Sequence, residues 1–304
     1  MSTARRQFVA PISFGLGDLV VSLPVVQAAV RTGALSGTET WLVTRSHSQV
    51  ALAERISGLS GTVPEHDVAI WPPEALVDLR DHPLQRDYWW GSPEFTAVYG
   101  CLSINEIIAR IGADLGVVGD FSAPMPLESR DRPDAEGMVL FVADADGTAR
   151  RWPPDRWLEL AAALGRRGLG VAVVTRGVGA NSLVDQGLTG FAAPTPGDAV
   201  DVLSACRAVV GVDTGLTHIA AQQGTPTVTL CRVPAVYFRD WDHTRLVVGS
   251  ACDAVCQLAE KEYAYNQRVN LGAKLPAPRV CPAESVCLDA IEPDSVLKTL
   301  GELC

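Results

Sequence analysis

The sequence lacks the long apolar runs, the export signal and the basic surface that would place a protein in a membrane or on nucleic acid. No stretch of its 304 residues reaches the ~18–20 uninterrupted apolar residues that a membrane-spanning helix needs. Residues 1–7 lead directly into a strand-like segment, without the apolar core of a signal peptide. Lysine is scarce, with three among the 25 basic residues, and the net charge is −10, which disfavours nucleic-acid binding. We therefore expect a cytoplasmic protein with no nucleic-acid partner and no membrane association.

Several common enzyme signatures are also missing, and their absence narrows the possible function classes. The chain has no Gly-x-Ser-x-Gly nucleophile elbow, no Walker phosphate loop and no complete Gly-x-Gly-x-x-Gly fingerprint. Hydrolase, nucleoside-triphosphatase and dehydrogenase functions are therefore disfavoured. Eight cysteines are present, but without an export signal we expect reduced thiols rather than disulfides.

What the chain does contain is an alternation of β-branched apolar runs and Ala/Leu-rich helical patterns. This alternation predicts βαβ units and parallel sheets, and the length predicts two domains. Residues 122–137 are rich in proline and charge without periodicity, which is typical of a linker. The sequence thus predicts an α/β fold with two Rossmann-like domains, residues 1–130 and 131–304, and a ligand cleft between them.

The patterns also predict where the main elements lie. The predicted strands are 8–12, 41–44, 68–70, 138–142, 170–175, 208–212 and 227–230. The predicted helices are 19–32, 104–111, 154–167, 198–206 and 216–223.

The most informative segment lies at the turn after the predicted strand 208–212. Asp213, Thr214 and Gly215 occupy this turn, and a hydroxyl and backbone N–H groups at a helix N-terminus suit a phosphate. Glycine lets the backbone approach the anion closely. Asp213 would repel a phosphate, so we assign it to sugar hydroxyls. A purely structural helix cap is the alternative reading of the segment.

Two further turns carry charged residues where predicted strands end. Arg150 and Arg151 follow the first strand of the second domain, where guanidinium groups can neutralise a diphosphate. In the first domain, Gly15 and Gly17 form a turn that leads to Asp18, a carboxylate that can act as a general base. The alternative for Asp18 is a helix N-cap.

Together the three segments resemble glycosyltransferase family 9, the ADP-heptose:lipopolysaccharide heptosyltransferases. Members of that family carry a Leu-Gly-Asp turn followed by Leu-Pro, a Lys-Arg-Trp-Pro segment, and a Val-Asp-Thr-Gly-x-x-His-x-Ala-Ala signature. Here the corresponding residues are 16–18 with 23–24, 150–153 and 212–221. The resemblance covers most of the chain, and the segments follow the family's order.

The resemblance implies a GT-B fold in which the second domain holds a nucleotide-sugar donor, with ADP-heptose expected. It implies inverting transfer without a metal or another cofactor. By carry-over, Asp18 takes the proton from the acceptor, Asp213 contacts the transferred sugar, and Thr214 and Gly215 hold the donor diphosphate. Arg150 stands where the family has a phosphate-contacting lysine, and Arg151 is assigned to the same donor site.

Some positions depart from the family pattern. Arginine replaces the family's lysine at position 150. Its planar guanidinium can donate two parallel hydrogen bonds, whereas a lysine ammonium acts as a single point charge. Family members often have a glutamate for the donor ribose after the strand that here ends at Thr175, but residues 176–181 contain no carboxylate. Asn181 is the one residue that we assign in place of this glutamate, so the identity of the donor nucleotide stays open. His218 is expected to support its helix, and packing of the last helix back on the first domain, which is common in GT-B relatives, stays open.

The acceptor is predicted from the charge of the first domain. Residues 1–130 hold nine arginines and no lysine against fourteen acidic residues, a net charge of −5. Because lipopolysaccharide cores are anionic, a small soluble metabolite, such as a natural-product or nucleoside core, fits this domain better than a glycan of that kind. Tyr88, Trp89 and Trp90 are the candidate stacking contacts for it, with a buried aromatic cluster as the alternative.

Other functions remain as alternatives. The chain could act on a lipopolysaccharide core, bind nucleotide sugars as a non-catalytic subunit, or epimerise its donor; retention of Asp18 argues against the non-catalytic subunit. Asp144 and Asp146 form an Asp-x-Asp pair similar to the metal motif of GT-A glycosyltransferases, but we expect no metal. Metal binding, bridging or reduced thiols are open for Cys252, Cys256, Cys281 and Cys287, of which only the first pair has zinc-like spacing.

Overall fold

The computed structural model describes residues 5–70, 72–88, 90, 93–121, 123–145, 150–232, 238–249 and 286–304. The chain divides into two compact units. The first unit contains residues 1–128, 195–197 and 236–239, and the second contains residues 129–194, 198–235 and 240–304.

The first unit is built on a four-stranded parallel sheet. Its strands are β1 (Arg5–Ala10), β2 (Thr38–Thr44), β3 (Gly61–Pro64) and β4 (Leu76–Asp78), in the order β3-β2-β1-β4. Its helices are α1 (Leu16–Ser36), α2 (His47–Ala53), α3 (Pro83–Arg86), α4 (Pro93–Tyr99) and α5 (Ile104–Asp114), and Glu65–Ile70 and Pro73–Ala75 form 3-10 turns. The strand order reverses between β1 and β4, and in an open parallel sheet ligands bind at the carboxyl ends of the strands beside such a reversal.

Helix α1 is the central helix of this unit. Its buried residues include Leu19, Leu23 and Val26, each 0% exposed. In the part of the chain that the structure describes, α1 is the one helix with the length and apolar composition of a membrane span, and 67% of the apolar window is buried within the fold. This burial is what the core helix of a parallel α/β unit shows.

The second unit is built on a six-stranded parallel sheet. Its strands are β5 (Val139–Val142), β6 (Val171–Thr175), β7 (Thr189–Ala192), β8 (Ala208–Val212), β9 (Thr227–Cys231) and β10 (Thr244–Val248), in the order β10-β9-β8-β5-β6-β7. Its helices are α6 (Pro154–Arg166), α7 (Val178–Asp185), α8 (Pro196–Ala205), α9 (Gly215–Gln222), α10 (Val286–Asp289) and α11 (Pro293–Gly301), and Pro133–Ala135 forms a 3-10 turn. Here the strand order reverses between β5 and β8. The predicted α/β class with parallel sheets is confirmed.

The last helix, α11, packs inside the second unit. Its residues Leu297 and Leu300 belong to the hydrophobic core around β5, β8 and α6. Just before it, the indole of Trp152 donates to the carbonyl of Ile291 at 3.1 Å, and Arg156 pairs with Glu292 at 2.8 Å. The buried face of this helix is therefore part of the core of the second unit.

One predicted strand is wrong. Residues 68–70 belong to a 3-10 turn, and the third strand of the sheet is formed by the preceding residues, Gly61–Pro64. The Gly61–Pro64 segment pairs with β2 in parallel, with Trp41 opposite Gly61. A glycine and a proline at its ends gave no strand signal, although both are tolerated on an edge strand such as this one.

Candidate functional site

Four of the residues predicted to bind the donor follow two neighbouring strands of the second sheet. Arg150 and Arg151 follow β5, and Thr214 and Gly215 follow β8. Strands β5 and β8 are neighbours and parallel, so their carboxyl ends lie side by side where the strand order reverses. This is the place at which open α/β sheets bind ligands.

The N-terminus of α9 is open at this edge. Thr214 is the N-cap residue with an extended backbone (φ −152°, ψ 161°), its side chain makes no capping hydrogen bond, and the first turn of α9 holds no acidic residue. The first N–H groups of an α-helix have no partner within the helix, and together with the helix dipole they favour an anion. The arrangement therefore suits a phosphate.

Gly211 and the buried hydroxyl of Thr217 allow helix α9 to lie close to strand β8. The Thr217 hydroxyl donates to the carbonyl of Val212 at 2.7 Å. A Cβ at Gly211 would lie 2.3 Å from this Thr217 oxygen, so only glycine permits the approach. The turn that carries Thr214 is thus fixed by packing beneath it.

Asp213 is the acidic group of this edge. Partial burial of its carboxylate raises its pKa, while the charges of Arg150 and Arg232 act in the opposite direction. Its Oδ1 lies 3.9 Å from Nε2 of the buried His218. Sequence reasoning missed Arg232; its signal was the position directly after β9, at the same carboxyl edge.

Arg151 follows Arg150 directly in the chain and carries a second guanidinium group. Its Nε is removed from water and, among the described residues, meets no hydrogen-bond acceptor. A buried guanidinium nitrogen without an acceptor is costly, so an anionic ligand would satisfy it. Asn181, the assigned ribose contact, lies exposed on the first turn of α7.

Asp144 has a structural task at the end of β5. Its Oδ1 accepts the backbone N–H groups of Gly179 at 2.8 Å and Ala180 at 3.2 Å, which belong to the first turn of α7. The N-terminus of α7 is therefore satisfied by an internal carboxylate, unlike that of α9. Asp146, the other half of the Asp-x-Asp pair, lies outside the described residues.

The candidate base lies in the first unit, on the turn after β1. Asp18 is half-buried at the third position of α1, and its Oδ2 accepts the N–H of Gly15 at 3.2 Å. A Cβ at Gly15 would lie 2.8 Å from that oxygen, so the approach requires glycine. Asp18 thus caps its helix with one oxygen, and Oδ1 has no partner among the described residues, so it can accept a proton. Gly17 lies in the same first turn, half-buried.

The aromatic candidates separate in the structure. Trp90 is 1% exposed and its indole donates to the carbonyl of Leu84 at 2.8 Å, so its assignment as an acceptor contact is wrong and Trp90 is a core residue. Tyr88 is half-buried and packs edge-to-face on Phe95 and Tyr99, with ring centroids 6.2 and 5.3 Å away. Trp89 lies outside the described residues.

The four cysteines near the C-terminus, whose state the sequence left open, are not part of the described site. Cys252, Cys256 and Cys281 lie outside the described residues, as does the side chain of Cys287. Within the part of the chain that the structure describes, no group of three or more His, Cys, Asp or Glu side chains has the arrangement of a metal site.

Comparison with known sequences identifies a domain. Residues 117–262 match the family described as glycosyltransferase family 9 (heptosyltransferase). The matched range contains Arg150, Arg151, Asp213, Thr214 and Gly215. No curated protein sequence matches the chain.

Comparison with solved structures gives the fold. A glycosyl transferase family 9 protein from Veillonella parvula DSM 2008 is 15% identical with a TM-score of 0.66, covering 98% of this chain and 97% of that chain. The E. coli heptosyltransferase WaaC with ADP-2-deoxy-2-fluoro heptose is 14% identical with a TM-score of 0.60, at 98% and 100% coverage. The iron-containing dodecameric glycosyltransferase TibC from E. coli H10407 is 17% identical with a TM-score of 0.64, at 100% and 77% coverage. These similarities show the GT-B fold with two Rossmann-like domains.

Proposed function

We propose that this chain, whose residues 117–262 match the glycosyltransferase family 9 (heptosyltransferase) domain, transfers a heptose from ADP-heptose to a hydroxyl or amine of a small soluble acceptor. The observation that carries this proposal is the open N-terminus of α9 at the edge where β5 and β8 end. Uncapped N–H groups and the guanidinium groups of Arg150 and Arg151 form a cationic site suited to a diphosphate.

In the proposed reaction each unit has one task. Asp18 accepts the proton of the acceptor while the acceptor's oxygen or nitrogen attacks the anomeric carbon of the heptose. The bond between that carbon and the β-phosphate oxygen breaks, and ADP leaves with the electron pair. Attack from the side opposite to the leaving group inverts the anomeric configuration. The N-terminus of α9 and the guanidinium groups of Arg150 and Arg151 stabilise the negative charge that develops on ADP.

ADP-heptose is favoured as the donor by the relatives. The WaaC structure holds an ADP-heptose analogue, and this chain has the same fold and the family domain. Asp213 is the proposed contact for the sugar hydroxyls, since a carboxylate accepts hydrogen bonds from them and repels phosphate. No step of the proposed reaction uses a metal, because arginines and a helix N-terminus carry the charge of the leaving group.

The donor experiment is calorimetric titration with ADP, UDP, GDP and dTDP, followed by ADP-heptose. We expect ADP to bind most tightly among the four nucleotides and the heptose to tighten binding further. Preference for UDP or dTDP would leave the fold in place and contradict the heptose donor.

The reaction experiment is ADP release from ADP-heptose with a panel of small acceptors and a lipopolysaccharide core. Asp18→Asn is the informative variant, because an amide oxygen still accepts the N–H of Gly15 but a neutral amide is no base. We expect turnover to fall about 10²–10⁴-fold, the usual contribution of a general base, with ADP affinity unchanged.

A second experiment tests the need for a metal. Turnover should survive dialysis against EDTA; a loss of turnover that an added metal ion restores would contradict the metal-independent mechanism. Tight donor binding without turnover for any acceptor would favour a binding subunit, and conversion of donor alone an epimerase.

A further inference from the structure

A fully buried glutamine holds the turn that leads to Asp18. Gln49 on α2 is 0% exposed, and its Nε2 donates to the carbonyls of Ser13 at 3.0 Å and Gly15 at 3.4 Å. Its Oε1 accepts the N–H of Arg45 at 2.9 Å. Since only the oxygen of the amide can accept that hydrogen bond, the contact to Arg45 fixes which way the amide points.

Helix capping alone does not account for this use of Gln49. Ser46 caps α2 by accepting the N–H of Gln49 at 3.3 Å, which places Gln49 at the third helical position. In a capping box the side chain at this position returns to the N–H of the cap residue itself. Here it reaches past the cap to Arg45 and across to the β1–α1 turn, so its contacts serve the turn.

A second buried side chain ties the two ends of the same turn together. Ser22 is 0% exposed; its hydroxyl accepts the N–H of Ile12 at 3.0 Å and donates to the backbone carbonyl of Asp18 at 2.8 Å. Ile12 begins the turn and Asp18 ends it. From α3, the amide of Gln85 donates to the carbonyl of Ile12 at 3.3 Å.

We propose that Gln49 and Ser22 are positioning residues, which hold residues 12–18 in one conformation so that the Asp18 carboxylate keeps a fixed direction toward the acceptor nucleophile. The inference rests on the proposed function, in which Asp18 is the general base. The polar side-chain atoms of Gln49 and Ser22 are all hydrogen-bonded, and buried polar groups that are satisfied in this way specify a single local conformation. The rate of proton transfer and attack depends steeply on this, since a displacement of about 1 Å can cost about 10²-fold.

The test compares variants of the turn with a matched control. Gln49→Leu keeps the approximate side-chain volume and removes all three hydrogen bonds, and Ser22→Ala is the smaller change that keeps the test valid if Gln49→Leu fails to fold. Gln7→Leu is the control: the Gln7 amide donates to Ala29 at 2.8 Å and to Thr40 at 2.7 Å, in the same unit but along β1. Two quantities are measured on the full chain: ADP release from ADP-heptose with water as the acceptor, and deuterium exchange of the peptide covering residues 12–18.

We expect Gln49→Leu and Ser22→Ala to lower kcat by about 10–100-fold, to leave KM for ADP-heptose within about twofold, and to speed exchange in residues 12–18. Gln7→Leu should change neither kcat nor that exchange. In the Asp18→Asn background, the same two substitutions should cost no further rate, because they act through Asp18.

Equal rate losses with and without the Asp18 carboxylate would overturn the proposal, as would an unchanged kcat or unchanged exchange in the two variants. A different pattern marks failure of the proposed function itself. If Asp18→Asn releases ADP at the full rate, the general-base assignment is wrong, and if the unsubstituted protein releases no ADP with water or with any acceptor of the panel, the proposed transfer itself is wrong, whatever exchange shows for the turn.

Discussion

At the scale of single residues, Asp213 combines a structural cost with a proposed task. Because the fold raises its pKa, the native state binds the proton more tightly than the unfolded chain does. The free energy of unfolding that this group contributes therefore falls as the pH rises from the unfolded pKa, about 3.9, through the folded pKa.

Asp213→Asn should consequently raise the melting temperature at pH 7, and this gain should shrink as the pH is lowered toward ~4. The same variant should lower turnover, because the sugar loses its carboxylate contact. Scanning calorimetry between pH 4 and pH 8, roughly the range in which a raised aspartate pKa is felt, measures the first effect. Asp242→Asn, at an exposed aspartate of the same unit, is the control for the substitution itself.

Arg151 gives a second prediction at this scale. If its guanidinium binds the donor diphosphate, Arg151→Met should weaken ADP binding about tenfold, equivalent to about 1.4 kcal/mol. Adenosine, which has no phosphate, should bind the variant and the unsubstituted protein equally. Titration with both ligands tests this, with Arg167→Met, an exposed arginine after α6, as the control. An equal loss of adenosine binding would show that Arg151 acts through the fold.

At the scale of elements, helices α7 and α9 of the second unit differ in whether a protein side chain satisfies the N–H groups of their first turn. Helix α9 is open, whereas α7 receives the Asp144 carboxylate from β5. Asp144→Ala should therefore lower the free energy of unfolding by about 1–2 kcal/mol, the usual worth of an N-terminal cap with charge. Asp144→Asn keeps an acceptor oxygen and should lose less. Urea unfolding measures both variants, and equal stability of Asp144→Ala and the unsubstituted protein would contradict the structural role.

The sequence predicts those elements whose side chains are buried on every side. Strand β8 was predicted with its observed bounds, 208–212, because all five of its residues are buried. Strands β7 and β10 were missed because they lie at the two edges of the sheet, where most of their residues are exposed or half-buried. Edge strands carry little apolar pattern, so periodicity does not reveal them.

The candidate site was predictable for a related reason. The turns after β1, β5 and β8 could be assigned because the carboxyl ends of parallel strands share one edge of a sheet. Gln49, Ser22 and Arg232 could not, since their contacts depend on which elements pack together. Trp90 was misassigned because an aromatic run looks the same in sequence whether it is buried or exposed.

At the scale of the whole molecule, charge decides which acceptors are favoured. The chain carries a net charge of −10, and residues 1–130 carry −5. Several arginines of the first unit are also engaged internally: Arg6 pairs with Glu39, Arg45 and Arg80 share Glu65, and Arg86 contacts Asp81 and Asp87. Cations committed to internal carboxylates contribute little to holding an external anion.

A polyanionic acceptor should therefore be repelled, and a neutral one should not. At saturating ADP-heptose, kcat/KM for a lipopolysaccharide core should rise as salt is increased from about 20 to about 200 mM, because shorter Debye lengths screen the repulsion. For a neutral acceptor the same change should leave kcat/KM nearly constant. Saturating donor removes the salt dependence of diphosphate binding from the comparison. If kcat/KM for the anionic core instead falls with salt, attraction dominates, and the lipopolysaccharide acceptor becomes the better assignment for this enzyme.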